Sequence, residues 1–235
     1  MVFMSNLPEP PWSSRKEKAP RVPITREAIA SAALRVIDAE GLDGLSMRRL
    51  AEELGCQASA LYTHVSGKEE VLQLVIDRVA GEIEVPDPDP ERWQEQVKDV
   101  MRSTHRAFLA HRDLAGASVA SIPTGPNIVL LVDRLLAIFR AGGLPPQVAG
   151  YAADLLPQFV TTSAYEFSLF AERMEREPEY FDRLDAYYRE LPADRFPVLA
   201  SMVNELLAPD EAEDARFEFG LDVILRGLAA LAEKR

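Results

Sequence analysis

The chain of 235 residues has one cysteine and three histidines. A lone Cys56 excludes an internal disulfide and a cysteine-based zinc cluster, and reads as a small packed side chain. His105 and His111 stand six residues apart on opposite sides of one helix. That is no metal-ligand spacing, so both read as surface histidines and no metal is expected. No run of about eighteen apolar residues exists, so no membrane span is expected. The opening MVFMSNLPEPPWSSRKEKAPRVP lacks the apolar centre of a secretion signal, and a cytoplasmic location is expected. Neither a Gly-rich phosphate loop nor G-x-S-x-G occurs, and Glu172, Glu175 and Glu177 look like a solvated face rather than paired catalysts. No enzyme and no cofactor are expected, since a helical enzyme here would need a chemistry that leaves no motif.

Positive charge is also short, with 26 Lys and Arg against 38 Asp and Glu and a net charge of −12. Such acidity argues at first against a phosphate-bearing partner. The distribution changes that conclusion. Residues 1–80 hold 10 Lys and Arg against 11 Asp and Glu, whereas residues 81–235 hold 16 against 27. The first part is near neutral and can carry a local basic edge, with Arg48, Arg49 and Lys68 as candidates.

What is present is helical periodicity. Residues 1–23 hold five prolines and the basic stretch RKEKAPR, and are expected to be a flexible arm, either neutralising phosphates or merely solubilising. From Thr25, a candidate cap, Ile29, Ala32, Ala33, Val36 and Ile37 recur at helical spacing up to Gly41, expected to stop the helix. Ser46 caps a second helix with Met47, Leu50, Ala51 and Leu54 on one face. A third spans about 57–64, burying Leu61 and Val65 and turning Ser59 and Thr63 the opposite way. Ser66 and Glu69 are expected to form the capping box of a fourth helix carrying Val71, Leu72, Val75, Ile76 and Val79. VPDPDP at 85–90 then breaks the chain. Further helices are expected near 91–111, 126–141, 145–174, 195–207 and 211–233. The 145–174 segment is apolar on nearly every side and must be covered all round.

The fold class is therefore all-α, in three parts: the arm over 1–23, a first domain over 24–85 and a larger helical domain over 86–235. Two short helices joined by a tight turn, the second poor in core residues and rich in donors, make a helix-turn-helix whose outer side suits the major groove of double-stranded DNA. A constitutive architectural DNA binder is an alternative, but binding alone does not need so large a second domain.

The stretch TREAIASAALRVIDAEGLDGLSMRRLAEELGCQASALYTHVSGKEEVLQLVIDRV resembles the DNA-binding domain of the tetracycline repressor (TetR) family. The second part resembles the family's tetracycline-binding members more loosely, through WQEQV, AHRD, AGGLPPQVAGYAADLLPQF and FEFGLDVILRGL. The resemblance implies a ligand-responsive regulator, a repressor that binds a palindromic operator as a homodimer and is released by a small molecule. It implies groove contact for Arg48, Gln57, Ala58, Ser59 and Thr63, and phosphate contact for Tyr62, His64 and Lys68. From the residues alone, Tyr62 and His64 could equally be packed, and Arg48 a solvated charge. Dimerisation is implied through the helices near 145–174 and 211–233, with Gly220 or Gly227 at the close approach.

The same resemblance implies an effector pocket lined by Thr104, Phe108, Ser118, Ile122, Pro123, Arg134, Gln158, Thr162 and Glu166, with a ligand-lined helix near 113–123. Family members that hold magnesium-bound tetracycline use histidines, whereas the matching positions here are Ser118 and Glu82 or Glu84. Without a neutral imidazole a metal chelate loses its nitrogen ligand, so a hydrophobic, metal-free effector is expected. Glu166 reads either as an exposed or interface carboxylate or, with Arg134 opposite or a cationic ligand, as the one polar anchor of the pocket.

Overall fold

The structure, a computed structural model, describes residues 23–111, 113–119, 124–207 and 211–232, and its regular elements there are all α-helices. The arm over 1–22, Ile122 and Pro123 lie outside the described residues.

Helix α1, Arg26–Gly44, opens on Thr25, whose hydroxyl accepts from the Ala28 amide at 3.1 Å. Gly41 does not end it. The residue takes φ 77° and ψ 175°, a conformation glycine adopts cheaply, and the helix changes direction and runs one short turn further. That kink frees the Leu42 amide from the ladder, and Asp113 accepts it at 2.8 Å. Helix α2, Met47–Glu53, starts on the Ser46 cap, which accepts from Arg49 at 3.1 Å. Helix α3 is Ala58–Leu61, shorter than the span 57–64, because the chain tightens at its end: the His64 amide bonds back three residues to Leu61 at 2.9 Å.

Helix α4, Lys68–Ala80, begins after Gly67, one residue later than a Ser66 cap requires. The box therefore closes through Glu70 rather than Glu69: its carboxylate accepts from the Ser66 amide at 2.7 Å and hydroxyl at 2.9 Å. Those bonds, and then Arg26, hold the Glu70 carboxyl below the usual range. Ile29, Val36, Ile37, Leu50, Leu61, Val71 and Val75 make the core of the first domain.

The second domain contains α5 (Trp93–Ala110), α6 (Leu114–Val119), α7 (Pro126–Ala141), α8 (Pro146–Arg176), α9 (Tyr180–Arg189), α10 (Pro197–Ser201), α11 (Val203–Leu206) and α12 (Glu211–Ala230). The expected helix over 195–207 divides at Met202. The segment near 113–123 is helical over Leu114–Val119. Helix α9 was not expected from the sequence; none of its residues is fully buried, although Tyr180, Phe181, Leu184 and Tyr188 are half-buried at helical spacing and the Phe181 ring stacks on Phe170. Trp93, Val97, Met101, Leu135, Phe139, Leu156, Leu221 and Leu225 form a second core.

The two cores meet. Leu114 of α6 is buried in the first one, with Phe108 and Ile128 packed against it. The histidines are not surface groups either: the His105 ring stacks on Phe217 at 4.0 Å, and His111 Nδ1 lies 3.0 Å from Asp38 of α1. No helix among the described residues is long and apolar enough to cross a membrane.

Helix α12 is tied to α5 by charge. Glu218 accepts two bonds from Arg102, at 2.6 and 2.7 Å, and pairs with Lys98 at 2.9 Å, while Lys98 also meets Asp222 at 2.6 Å. The Arg102 hydrogen bonds, opposed by partial burial and helped by Lys98, bring the Glu218 carboxyl from its ordinary 4.5 to about 2. A lowered pKa stabilises the fold fully above the unfolded value and loses that effect as pH falls toward the folded one. The melting temperature is thus expected to fall between pH 4.5 and about 2, and Glu218→Gln to flatten that part of a calorimetric pH series; an unchanged slope would remove this network from the acid response.

Candidate nucleic-acid interface and ligand cavity

The exposed side of α3 is built by elimination: Leu61 and Val65 are consumed by the core, which leaves Gln57, Ser59, Tyr62 and Thr63 in solvent. Tyr62 is 56% exposed, so it is not a core ring. Ala58 and Ala60 are half-buried and offer only methyl groups beside those donors. The two adjacent arginines separate. Arg49 is locked between Glu40 at 2.7 Å and Glu53 at 3.1 Å, whereas the Arg48 side chain is 88% exposed with only a loose 3.7 Å approach to Glu52.

His64 is half-buried, and its carbonyl accepts from Arg26 at 3.2 Å; Arg26 also pairs with Glu70. Lys68 is less free than a phosphate-seeking lysine, since its Nζ donates to the Leu42 carbonyl at 2.9 Å. Arg26, Glu70 and Lys68 thus bind the start of α4, the end of α3 and the bend of α1 into one unit. The geometry fits a rigid reading head with Arg48, Gln57, Ser59, Tyr62 and Thr63 at its face.

A cavity of about 530 Å³ lies where the domains join. That volume suits a drug-sized molecule. It brings together Thr104, Phe108, Ser118, Gln158 and Thr162 of the expected ligand set. Four residues missed by sequence reasoning, Ile76, Val79, Ala80 and Ile83, form its wall from α4 and the segment after it. Their apolar spacing is legible, but it looks like the core of the first domain. Leu131, Val132 and Leu135 close the α7 side.

Three of the hydroxyls in the wall point their protons at backbone: Thr104 donates to Val100 at 2.9 Å, Ser118 to Ala115 at 2.9 Å and Thr161 to Pro157 at 2.7 Å. Those three hydroxyls keep acceptor lone pairs for a ligand, while the Gln158 amide in the same wall can both donate and accept and Asp154 adds a carboxylate.

A second cavity, of about 380 Å³, holds His105, Phe159, Thr162, Glu166, Phe170, Arg216 and Phe217. Glu166 therefore shares space with Arg216. Arg134 is exposed on α7 and lines neither cavity, because Leu131, Val132 and Leu135 occupy the helix face turned inward.

Gly220 does approach a helix closely, but within its own chain. A Cβ there would lie 2.4 Å from the Phe159 ring, whereas Gly227 has nothing within 4 Å. Along α8 and α12 the described chain leaves Tyr151 67% and Phe219 71% exposed, with Leu155 and Val223 beside them in solvent. The cover that an apolar α8 requires is thus incomplete in one chain.

Comparison with known proteins agrees with this architecture. The family described as bacterial regulatory proteins, tetR family, matches residues 29–75, and that described as tetracyclin repressor-like, C-terminal domain, matches residues 85–232. The HTH-type transcriptional repressor DrrR1 of Streptomyces coeruleorubidus is 31% identical over 228 residues, 94% of this chain and 83% of the relative. The tetracycline repressor protein class C of Escherichia coli is 30% identical over 207 residues, 87% of this chain and 90% of the relative. Among solved structures, the Streptomyces coelicolor TetR family protein ActR in complex with actinorhodin superposes with a TM-score of 0.83 at 44% identity, over 91% of this chain and all of that one.

The two glycines of α12 give a direct check on the packing. Gly220→Ala is expected to cost about 1–3 kcal/mol in thermal unfolding by overpacking against Phe159, whose ring is itself stacked on Phe217. Gly227→Ala should show no such loss; equal melting shifts for both would mean that the α8–α12 contact is looser than described.

Proposed function

The chain belongs to the tetR family of bacterial regulatory proteins and is a ligand-responsive transcriptional repressor, and on that premise we propose that it binds a palindromic operator in the cytoplasm as a homodimer. The observation that carries the DNA half is the reading head, in which one exposed arginine and the outer side of α3 stand on a fully packed base. Arg48, Gln57, Ser59 and Thr63 read bases, Ala58 contributes a methyl contact, and Tyr62 and His64 reach phosphates. Lys68 adds its charge from the N-terminal end of α4. Two such heads in a dimer must present α3 about 34–36 Å apart to enter successive major grooves. The exposed Tyr151, Leu155, Phe219 and Val223 supply the face that a second copy covers, joining α8 and α12 to their mates in a four-helix bundle.

The effector belongs in the larger cavity. Its walls are mostly apolar, the hydroxyls of Thr104, Ser118 and Thr161 are left as acceptors, and Asp154 and Gln158 add a carboxylate and an amide, which favours an apolar body carrying a few polar groups, O–H donors among them. ActR, which superposes so well, is known with actinorhodin bound, and a related aromatic compound is the first to test here. Ser118, which spends its proton on Ala115, stands where a metal-binding histidine would have to be, so the effector needs no magnesium.

The test starts from duplexes selected by the protein out of a random pool. Gel shifts should weaken steeply with salt. Tyr62→Ala is expected to lower affinity for all sequences alike, and Arg48→Ala to cost about 1–3 kcal/mol and relax preference at one base pair. Wild-type affinity in both variants would remove α3 from the DNA. Actinorhodin should dissociate the complex, and tetracycline with magnesium should not; release by tetracycline that depends on magnesium would overturn the metal-free reading.

A further inference from the structure

Helix α7 begins without a capping side chain of its own. Its cap position is Gly125 and its first residue is Pro126, yet the amides of the first turn still need acceptors. The acceptor comes from α4, fifty residues earlier in the chain. Asp77 Oδ1 accepts from the amides of Asn127 at 2.9 Å and Ile128 at 3.0 Å. The Asn127 side-chain amide donates back to Asp77 Oδ2 and to the Asp77 carbonyl, both at 3.1 Å. Asp77 is only 7% exposed. The joint also requires small neighbours: a Cβ on Gly125 would lie 2.1 Å from the Asp77 carboxylate, and one on Gly81 3.0 Å from the Asn127 side chain.

This joint sits on the rim of the larger cavity. Ile76 precedes Asp77 and Ile128 donates to it, and both side chains line the cavity, with Val79 and Leu131 next along their helices. Residues of α4 and of α7 thus line one and the same cavity beside the cap. At its other end α4 carries Glu70 and Lys68, which hold the end of α3 and the bend of α1.

We propose that the Asp77 cap on α7 is the latch through which the cavity controls the reading head: closed, it fixes α4 in the operator-binding position, and an effector releases DNA by opening it. The proposal rests on the cavity being the effector site. A ligand shifts a two-state protein only by its preference for one state, and a cap bonded in one state alone supplies such a preference. Asp77 and Asn127 are positioning residues, remote from the DNA.

The test has an arm that uses neither DNA nor ligand. Val132→Phe grows a side chain into the cavity, and the amides of Asn127 and Ile128 are then followed by hydrogen exchange. Their exchange is expected to quicken by about tenfold or more, the scale of losing a charge-assisted hydrogen bond, while the Leu156 amide keeps its wild-type protection. Leu131→Phe serves if Val132→Phe does not fold. In the second arm, Asp77→Ala and Gly125→Ala should weaken binding to the selected duplex by about tenfold at equal folded fraction. Asn127→Ala keeps both backbone bonds and should weaken it far less. Unchanged protection in the cavity-filling variants overturns the latch. So does Asp77→Ala that melts earlier yet binds DNA as tightly as wild type, since the cap is then structural only. A wild-type protein that selects no duplex defeats the repressor reading instead, and the exchange arm still decides whether cavity and cap are linked.

Discussion

Helix α4 has no side to spare. Val71 and Val75 complete the core under the reading head, Ile76 and Val79 serve that core and the cavity at once, and Asp77 supplies the cap of α7. One helix thus takes part in the first core, in the cavity wall and in the cap of α7. Under the proposed latch, a movement of α4 reaches α3 through Arg26, Glu70 and Lys68, which fasten their two ends together. Coupling of this kind needs an element with two arrangements, each favoured by a different partner.

Two other contacts cross the boundary between the domains. The kink at Gly41 exposes the Leu42 amide, which Asp113 takes, and His111 stands against Asp38. A straight α1 would have kept the Leu42 amide in its own ladder and left Asp113 without this bond. A residue that looks like a stop signal thus becomes an attachment point for the second domain. The same economy appears at α3, whose scarcity of apolar side chains follows from its having one face in the core and one in solvent.

The acidity of the second domain is partly structural. Glu218 and Asp222 of α12 answer Lys98 and Arg102 of α5, so charge as well as apolar contact seats the helix assigned to the dimer bundle. Burial of the Phe159 ring against Gly220 and Phe217 fixes α12 on α8 from the other direction. The outer faces of both helices are left apolar and open, which is costly in a lone chain and useful in a paired one.

Sequence alone determined the all-α class, the helix-turn-helix, its caps at Thr25 and Ser46, the break at 85–90 and the bounds of the 126–141 helix. These follow from local spacing, capping chemistry and proline, which act over a few residues. Its errors have one character. It took Glu69 for Glu70 because the helix start is set by Gly67, it made α3 too long, and it missed α9, a short helix none of whose residues is fully buried. Only the tertiary structure could decide that Arg49 is locked while Arg48 stays exposed, that Glu166 shares a cavity with Arg216 and not with Arg134, and that Gly220 packs against Phe159 of its own chain. The same holds for Asp77 and α7: an acceptor on one helix and the amides it caps fifty residues away share no sequence pattern, and only packing brings them together.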